Sequence, residues 1–415
     1  LRREDASEFC NAIGKQSIGK DARGTRMKLI VKLVAGIVLG ILIGLYAPIW
    51  TVQILLTFKG LFGQLLFFTI PLLILFFITS GIAGLPRNSG KLLGGTLALA
   101  YASTILAGVL AFLAAAAIVP ALSAGVAAVP ADDGAGIQPL IELAIPPMFG
   151  IMSALAAAFI FGLGIAASGA DGLKRLFDEG RDVIKVLLLA VIIPLLPVYI
   201  AGVFAELAAA GTVFATLKTF GLVLVLSISL HWIWIVVLYL VAGLRTRRSP
   251  LALIGRMLPA YFTALGTMSS AATIPVTLQS VRNNGVRPNI AGFTVPLCAT
   301  THLAGSTITI VACAVAVMVL HDALVVPSLL VMLPFILTLG VVMLAAPGVP
   351  GGAVMAAVGL LGSMLGFGET AIALMIALYM AQDSFGTACN VTGDGAIALL
   401  VDSVAPGEEG SGARD

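Results

Sequence analysis

Charge is scarce in this chain. Of its 415 residues only 10% are Asp, Glu, Lys or Arg, while 60% are hydrophobic; a soluble domain carries about a quarter charged. That balance excludes an ordinary soluble domain and demands lipid. Cysteine is scarce too. Cys10, Cys298, Cys313 and Cys389 have the spacing of neither a disulfide framework nor a zinc site, and three lie in apolar segments, which reads as packing. The apolar runs lack the strict alternation of a transmembrane barrel, and lipid cannot satisfy an open backbone, so the runs are helices. The basic stretch before Met27 (Arg2, Arg3, Lys15, Lys20, Arg23, Arg26) lacks the apolar centre of a cleavable signal, which makes residues 1–27 an expected cytoplasmic tail. The small positive net charge sits in short loops rather than on one face, so nucleic acid is not an expected partner.

What is present is a succession of apolar runs, each of about 20 residues or more, long enough to cross a hydrocarbon core of about 30 Å. Spans are expected near 28–47, 53–84, 92–120, 147–169, 183–209 and 215–244. Arg87 and Lys91, then Lys174, Arg175 and Arg181, then Arg245, Arg247 and Arg248 mark cytoplasmic loops, alternating with loops that hold Asp132, Asp133 and Glu142. Lys59 and Lys218 near outer ends can snorkel. Residues 250–283 are apolar but broken at Met268-Ser269-Ser270-Ala271-Ala272-Thr273-Ile274-Pro275, with Arg282 and Arg287 following. Basic residues at both ends make this segment enter and leave by one face, as a re-entrant hairpin. Residues 327–367 repeat the design around Pro347-Gly348-Val349-Pro350-Gly351-Gly352, flanked by His321, Asp322 and Glu369.

Spans at about 288–320 and 370–402 complete an inverted repeat of hairpin plus helix, the plan of secondary transporters with a midplane site. The expected fold is an all-α polytopic membrane protein of eight transmembrane helices plus two re-entrant hairpins. It divides into six helices over 28–249, a transport core over 250–403 and a tail over 404–415. Both termini would be cytoplasmic, in a bacterial inner membrane. Two ordinary helix pairs joined by Gly/Pro turns are the plainer alternative.

Two acids interrupt the last apolar run. A carboxylate at membrane depth costs at least about 2.5 kcal/mol, so it is a functional candidate by default. Asp383, Thr387, Asn390 and Asp394 stand at i, i+4, i+7 and i+11 and form one polar stripe on a helix; a structural network or a water-filled helix end would explain them equally simply. An intramembrane aspartyl protease is disfavoured. Eleven helical residues separate the two acids by about 16 Å at 1.5 Å per residue, too far to share a proton. Half-helix N-termini at the two broken tips can hold a carboxylate, and unwound carbonyls can hold a cation. Ser269 and Ser270 add hydroxyls to the first tip, and Gly348, Gly351 and Gly352 give the second its mobility. Pro296 to Ser306 reads as an interrupted helix facing the same site, with His302 either packed or carrying a proton.

At these stretches the chain resembles the dicarboxylate/amino acid:cation symporter family, nearest its sodium:serine/threonine branch. Ser269 to Thr277 is similar to the serine-rich first tip, Gly348-Val349-Pro350-Gly351-Gly352 to the second, and Asn390-Val391-Thr392-Gly393-Asp394 to the last-helix signature. The resemblance covers about residues 260–400. It implies that Ser269, Ser270, Ser306, Val349 and Gly351 lie at the substrate with Asp383, Gly386, Thr387 and Asn390, and that Asp383 holds the amino group. One sodium would sit on Asp394 and the Asn390 carbonyl with carbonyls of Cys298 and His302; a second would sit between carbonyls of Thr300, Met343, Leu344 and Ala346. It further implies a homotrimer whose transport domain slides past a scaffold. Acidic-substrate members carry an arginine where this chain has Gly386, which points to a small neutral amino acid such as serine, threonine or alanine, a dicarboxylate or acidic amino acid being the alternative. His302-Leu303-Ala304-Gly305-Ser306 stands in for the family's Asn-Met-Asp-Gly-Thr, which removes an acidic ligand at Ala304 and leaves two expected sodium sites.

Overall fold

A computed structural model describes residues 22–84, 90–122, 137–344 and 346–405 of the protein. Expectations for Cys10, Arg87, Asp132, Asp133 and most of both tails fall outside these residues. Most of the described residues are helical. The first half comprises α1 (Ala22–Tyr46), α2 (Ile49–Ala83), α3 (Gly90–Leu122), α4 (Ile151–Ser168), α5 (Asp171–Leu187), α6 (Ile193–Ala209) and α7 (Val213–Thr246). The second comprises α8 (Pro250–Thr267), α9 (Ser270–Asn283), α10 (Pro288–Thr301), α11 (Ala304–Leu320), α12 (Leu329–Met343), α13 (Gly352–Leu365), α14 (Glu369–Met380) and α15 (Asp383–Val404).

Six of the described helical stretches are long and apolar enough to cross a membrane, counting α5 with α6 and α10 with α11 as continuous, and α14 with α15 makes a seventh bent by 60°. The protein is therefore an all-α, multi-span membrane protein.

Two boundaries differ from the sequence reading. Residues 22–27, assigned to the tail, open α1. Lys174, Arg175 and Arg181, assigned to a loop, lie within α5. Their charge does not prevent helix formation because α5 is amphipathic. It buries Phe177 and Ile184 while Lys174 pairs with Asp178 one turn on at 2.7 Å. A π turn (Leu188–Ile192) joins α5 to α6 just where Pro194 lacks an N–H to give the preceding turn.

Packing sorts the helices. α1 lies along α6, and α2 packs on α4, α5 and α6. α3 and α7 pack instead on α11, and α15 touches α7, α8, α9, α10 and α11. At the middle of this second group α11 is buried from Ala304 to Met318, because its side chains meet helices on every side.

Candidate functional site

Four chain breaks converge. The first separates α8 from α9: Met268 ends α8 in the left-handed conformation (φ 49°), and Ser269 opens α9 by accepting a hydrogen bond from the Ala272 N–H at 3.3 Å. The Ser269 hydroxyl also donates to the Gly348 carbonyl at 3.2 Å, joining the first tip to the second. In the second tip Gly351 sits at φ 73°, a region costly for other residues. Its N–H donates to Asp383 Oδ2 at 2.7 Å. Asp383 opens α15 just after the bend, where the helix N-terminus favours negative charge. The fourth break, at His302 and Leu303, separates α10 from α11 and exposes N–H groups of the α11 start. Asn390 satisfies them, its Oδ1 accepting from Gly305 N at 2.7 Å and Ser306 N at 3.2 Å while its Nδ2 donates to Ser306 Oγ at 3.0 Å.

Between these breaks lies a small cavity of about 30 Å³. Ser269, Ser270, Ser306, Val349, Asp383, Thr387 and Asn390 all line it, and Asp383 is its one charged lining residue among those described. Gly351 reaches it through its bond to Asp383 rather than as wall. A larger cavity of about 720 Å³, bordered by Ser80, Arg181 and Lys185, lies beside the second tip, and Ala346 to Val349 line both. The second tip thus borders both spaces.

Gly386 lies elsewhere. It is absent from the wall; a Cβ there would meet Thr309 Oγ1 at 3.3 Å and the Gly305 backbone at 3.5 Å. Family resemblance assigned this residue to the substrate; here the direction of its missing side chain is taken up by the close approach of α15 and α11.

The expected cation ligands separate into two sets. Thr300, Leu344 and Ala346 border the larger cavity, with Met343 buried beside them. Cys298, His302 and Asp394 are buried around α15. There His302 Nδ1 lies 2.9 Å from Asp394 Oδ1 and His302 Nε2 lies 2.9 Å from Ser103 Oγ, which also accepts from Trp234 Nε1 at 3.3 Å. The imidazole rests against Gly393, where a Cβ would come within 2.7 Å of His302 Cε1. Asp394 is therefore engaged by a side chain at the atom assigned to a sodium. No cluster of three or more His, Cys, Asp or Glu side chains suited to a metal occurs among the described residues.

Two polar residues went unassigned in the sequence. Tyr379 lines the cavity four residues before Asp383, a spacing that puts it on the acid's face of a regular helix. His231, in the middle of α7, sets Nε2 3.0 Å from the Gly305 carbonyl and 3.1 Å from Thr309 Oγ1; a buried histidine in an apolar span was its only signal.

Comparison with known proteins bears on the same stretches. The sodium:dicarboxylate symporter family matches residues 29–404. The chain belongs to this family. Its members are transporters rather than enzymes. Among similar proteins, excitatory amino acid transporter 1 of Homo sapiens is 33% identical over 155 residues, 36% of this chain and 28% of the relative. Neutral amino acid transporter B(0) of Homo sapiens is 28% identical over 251 residues, 59% of this chain and 45% of the relative. Serine/threonine transporter SstT of Acinetobacter baumannii (strain SDF) is 31% identical over 252 residues, 59% and 62% respectively. The matches therefore span less than two thirds of each relative.

Proposed function

We propose that this family member is a sodium-coupled symporter that moves a small amino acid across the bilayer by alternating access. The observation that carries the reading is the cavity whose one charged wall group among the described residues, Asp383, is bonded to the N–H of the tip that lines both it and the larger space. A carboxylate in that position suits the substrate's ammonium group, and the two tips suit its carboxylate. Sodium dependence is supported by the family, with the carbonyls near Thr300, Leu344 and Ala346 as its candidate site. Coupling follows if sodium and substrate both favour the same closed second tip.

For the substrate, two readings have support. The family's description names dicarboxylates, and excitatory amino acid transporter 1 recurs among the relatives from several animals, which favours an acidic amino acid or dicarboxylate with sodium or proton coupling. The cavity favours a small neutral amino acid of the serine, threonine or alanine kind. Among its described lining residues there is no Lys, Arg or His to pair a second carboxylate, and an unpaired buried charge is costly. The names of two other relatives agree with this second reading.

The proposal also takes α8–α9 and α12–α13 as re-entrant hairpins beside eight spans. Support comes from length: α9 and α13 have 14 residues each, about 21 Å at 1.5 Å per residue, short of a core of about 30 Å. It takes α1, α2 and α4–α6 as scaffold and the remaining helices as the moving body. A homotrimer in a bacterial inner membrane, with both termini in the cytoplasm, belongs to the same reading by family resemblance.

A thermal-unfolding screen of serine, threonine, alanine, aspartate and succinate, in sodium and in choline, tests it, since a ligand of the native state raises stability by mass action. Stabilisation by a neutral amino acid in sodium alone is the expected result, with Asp383→Asn abolishing it while keeping the ligand-free midpoint. Stabilisation by aspartate or succinate would replace the neutral reading with the acidic one. No response to any of them would remove the amino-acid assignment.

A further inference from the structure

Tyr379 is fully buried near the end of α14 and lines the same cavity as Asp383 and Ser306. Its hydroxyl stands within reach of both those residues but is well aligned for a hydrogen bond with neither. Every other buried side-chain atom left without a partner among the described residues lies off the cavity wall. A buried phenol ordinarily finds a partner, because an unmade hydrogen bond in an apolar interior costs free energy. Asp383 Oδ2 already accepts from the Gly351 N–H, and Ser306 Oγ already accepts from Asn390 Nδ2.

We infer that Tyr379 is the residue that reads the substrate's side chain, its hydroxyl completing a hydrogen bond with an uncharged hydroxyl or amide of an amino acid bound to Asp383. The inference rests on the amino-acid reading above and narrows it. Two neutral hydroxyls, Tyr379 and Ser306, make this part of the wall, and the nearest charge is the negative Asp383. A carboxylate there would face an acid without a cation, whereas a hydroxyl or amide can both donate and accept. A substrate without such a group would leave the phenol without that bond. The site therefore discriminates by what the wrong substrate fails to satisfy, the stronger form of selectivity available to a small pocket. Tyr379 would touch substrate directly and is a specificity residue rather than a support for Asp383.

The test measures dissociation constants for L-serine and L-alanine in saturating sodium by calorimetry on the full chain in detergent, for the native protein and Tyr379→Phe. The native protein should bind serine about tenfold or more tighter than alanine, and the phenylalanine variant should bring the ratio to about one with alanine affinity held within about twofold. A purely structural role for the hydroxyl would weaken both ligands together, and that result overturns the inference. So does a native protein that binds the two equally or prefers aspartate, which needs no variant to fold and leaves amino-acid transport standing. Failure of the native protein to bind any amino acid removes the transport reading itself, and the inference with it.

Discussion

His302 and Asp394 are sealed from solvent, at 0% and 1% exposure, and each satisfies the other. If the proposed sodium site at Asp394 is right, the imidazole takes with its ring nitrogen the oxygen a cation would otherwise hold. Replacing it exposes the difference. His302→Asn, which restores the family's residue, should leave the carboxylate short of a partner and lower stability in sodium-free buffer by about 1–3 kcal/mol. Sodium should then recover part of that loss by occupying the freed oxygen. Thermal midpoints in choline and in sodium would show it as a larger sodium-dependent rise in the variant than in the native protein. Equal rises would mean that the histidine displaces no cation at this position.

At the scale of elements, the two tips and the two interrupted helices matter because each break leaves backbone groups that another element satisfies. The Gly351 N–H meets Asp383, and the Gly305 and Ser306 N–H groups meet Asn390. Gly351→Ala should strain a left-handed residue by about 1–2 kcal/mol and press a methyl towards Met380 Sδ, 2.6 Å from the position of the new Cβ. The expected result is amino-acid affinity reduced by about tenfold with the long helices intact by circular dichroism; unchanged affinity would show that the tip geometry is not part of the site. The contact between α15 and α11 gives a second expectation. Gly386→Arg must part Gly305 and Thr309 from α15, so overpacking of about 1–3 kcal/mol or more and no gain in aspartate binding should follow. An aspartate-dependent rise in thermal midpoint in that variant would return position 386 to the cavity wall.

On the scale of the whole molecule, the proposed transport would move the second tip, which borders both cavities, together with one group of helices relative to another. Proteoliposomes report on that directly. Uptake of the amino acid identified by the thermal screen should saturate and should fall to background when internal and external sodium are made equal. Uptake that persists without the gradient would mean a passive pathway, and uptake that follows an imposed proton gradient instead would transfer the coupling to protons.

Much of this architecture was legible in the order of residues. Apolar length is a one-dimensional quantity, so the long helices and the positions of the breaks could be read from runs and their interruptions, as could the acidic stripe of the last helix. Charge misled where helix and loop compete: α5 is polar on one face and still helical, since burial of Phe177 and Ile184 decides it. Direction was the other loss. A 60° bend between Met380 and Asp383 and the close crossing of α11 on α15 determine which side chains of the stripe see the cavity. Thus the sequence alone determined that this chain lives in lipid and keeps two acids there, because those are sums over neighbouring residues. Only the tertiary structure decided that Asp383 faces the cavity, that Asp394 is held by His302, that Gly386 packs against α11 and that Tyr379 joins Asp383 and Ser306 on the cavity wall, because each depends on atoms brought together from distant parts of the chain.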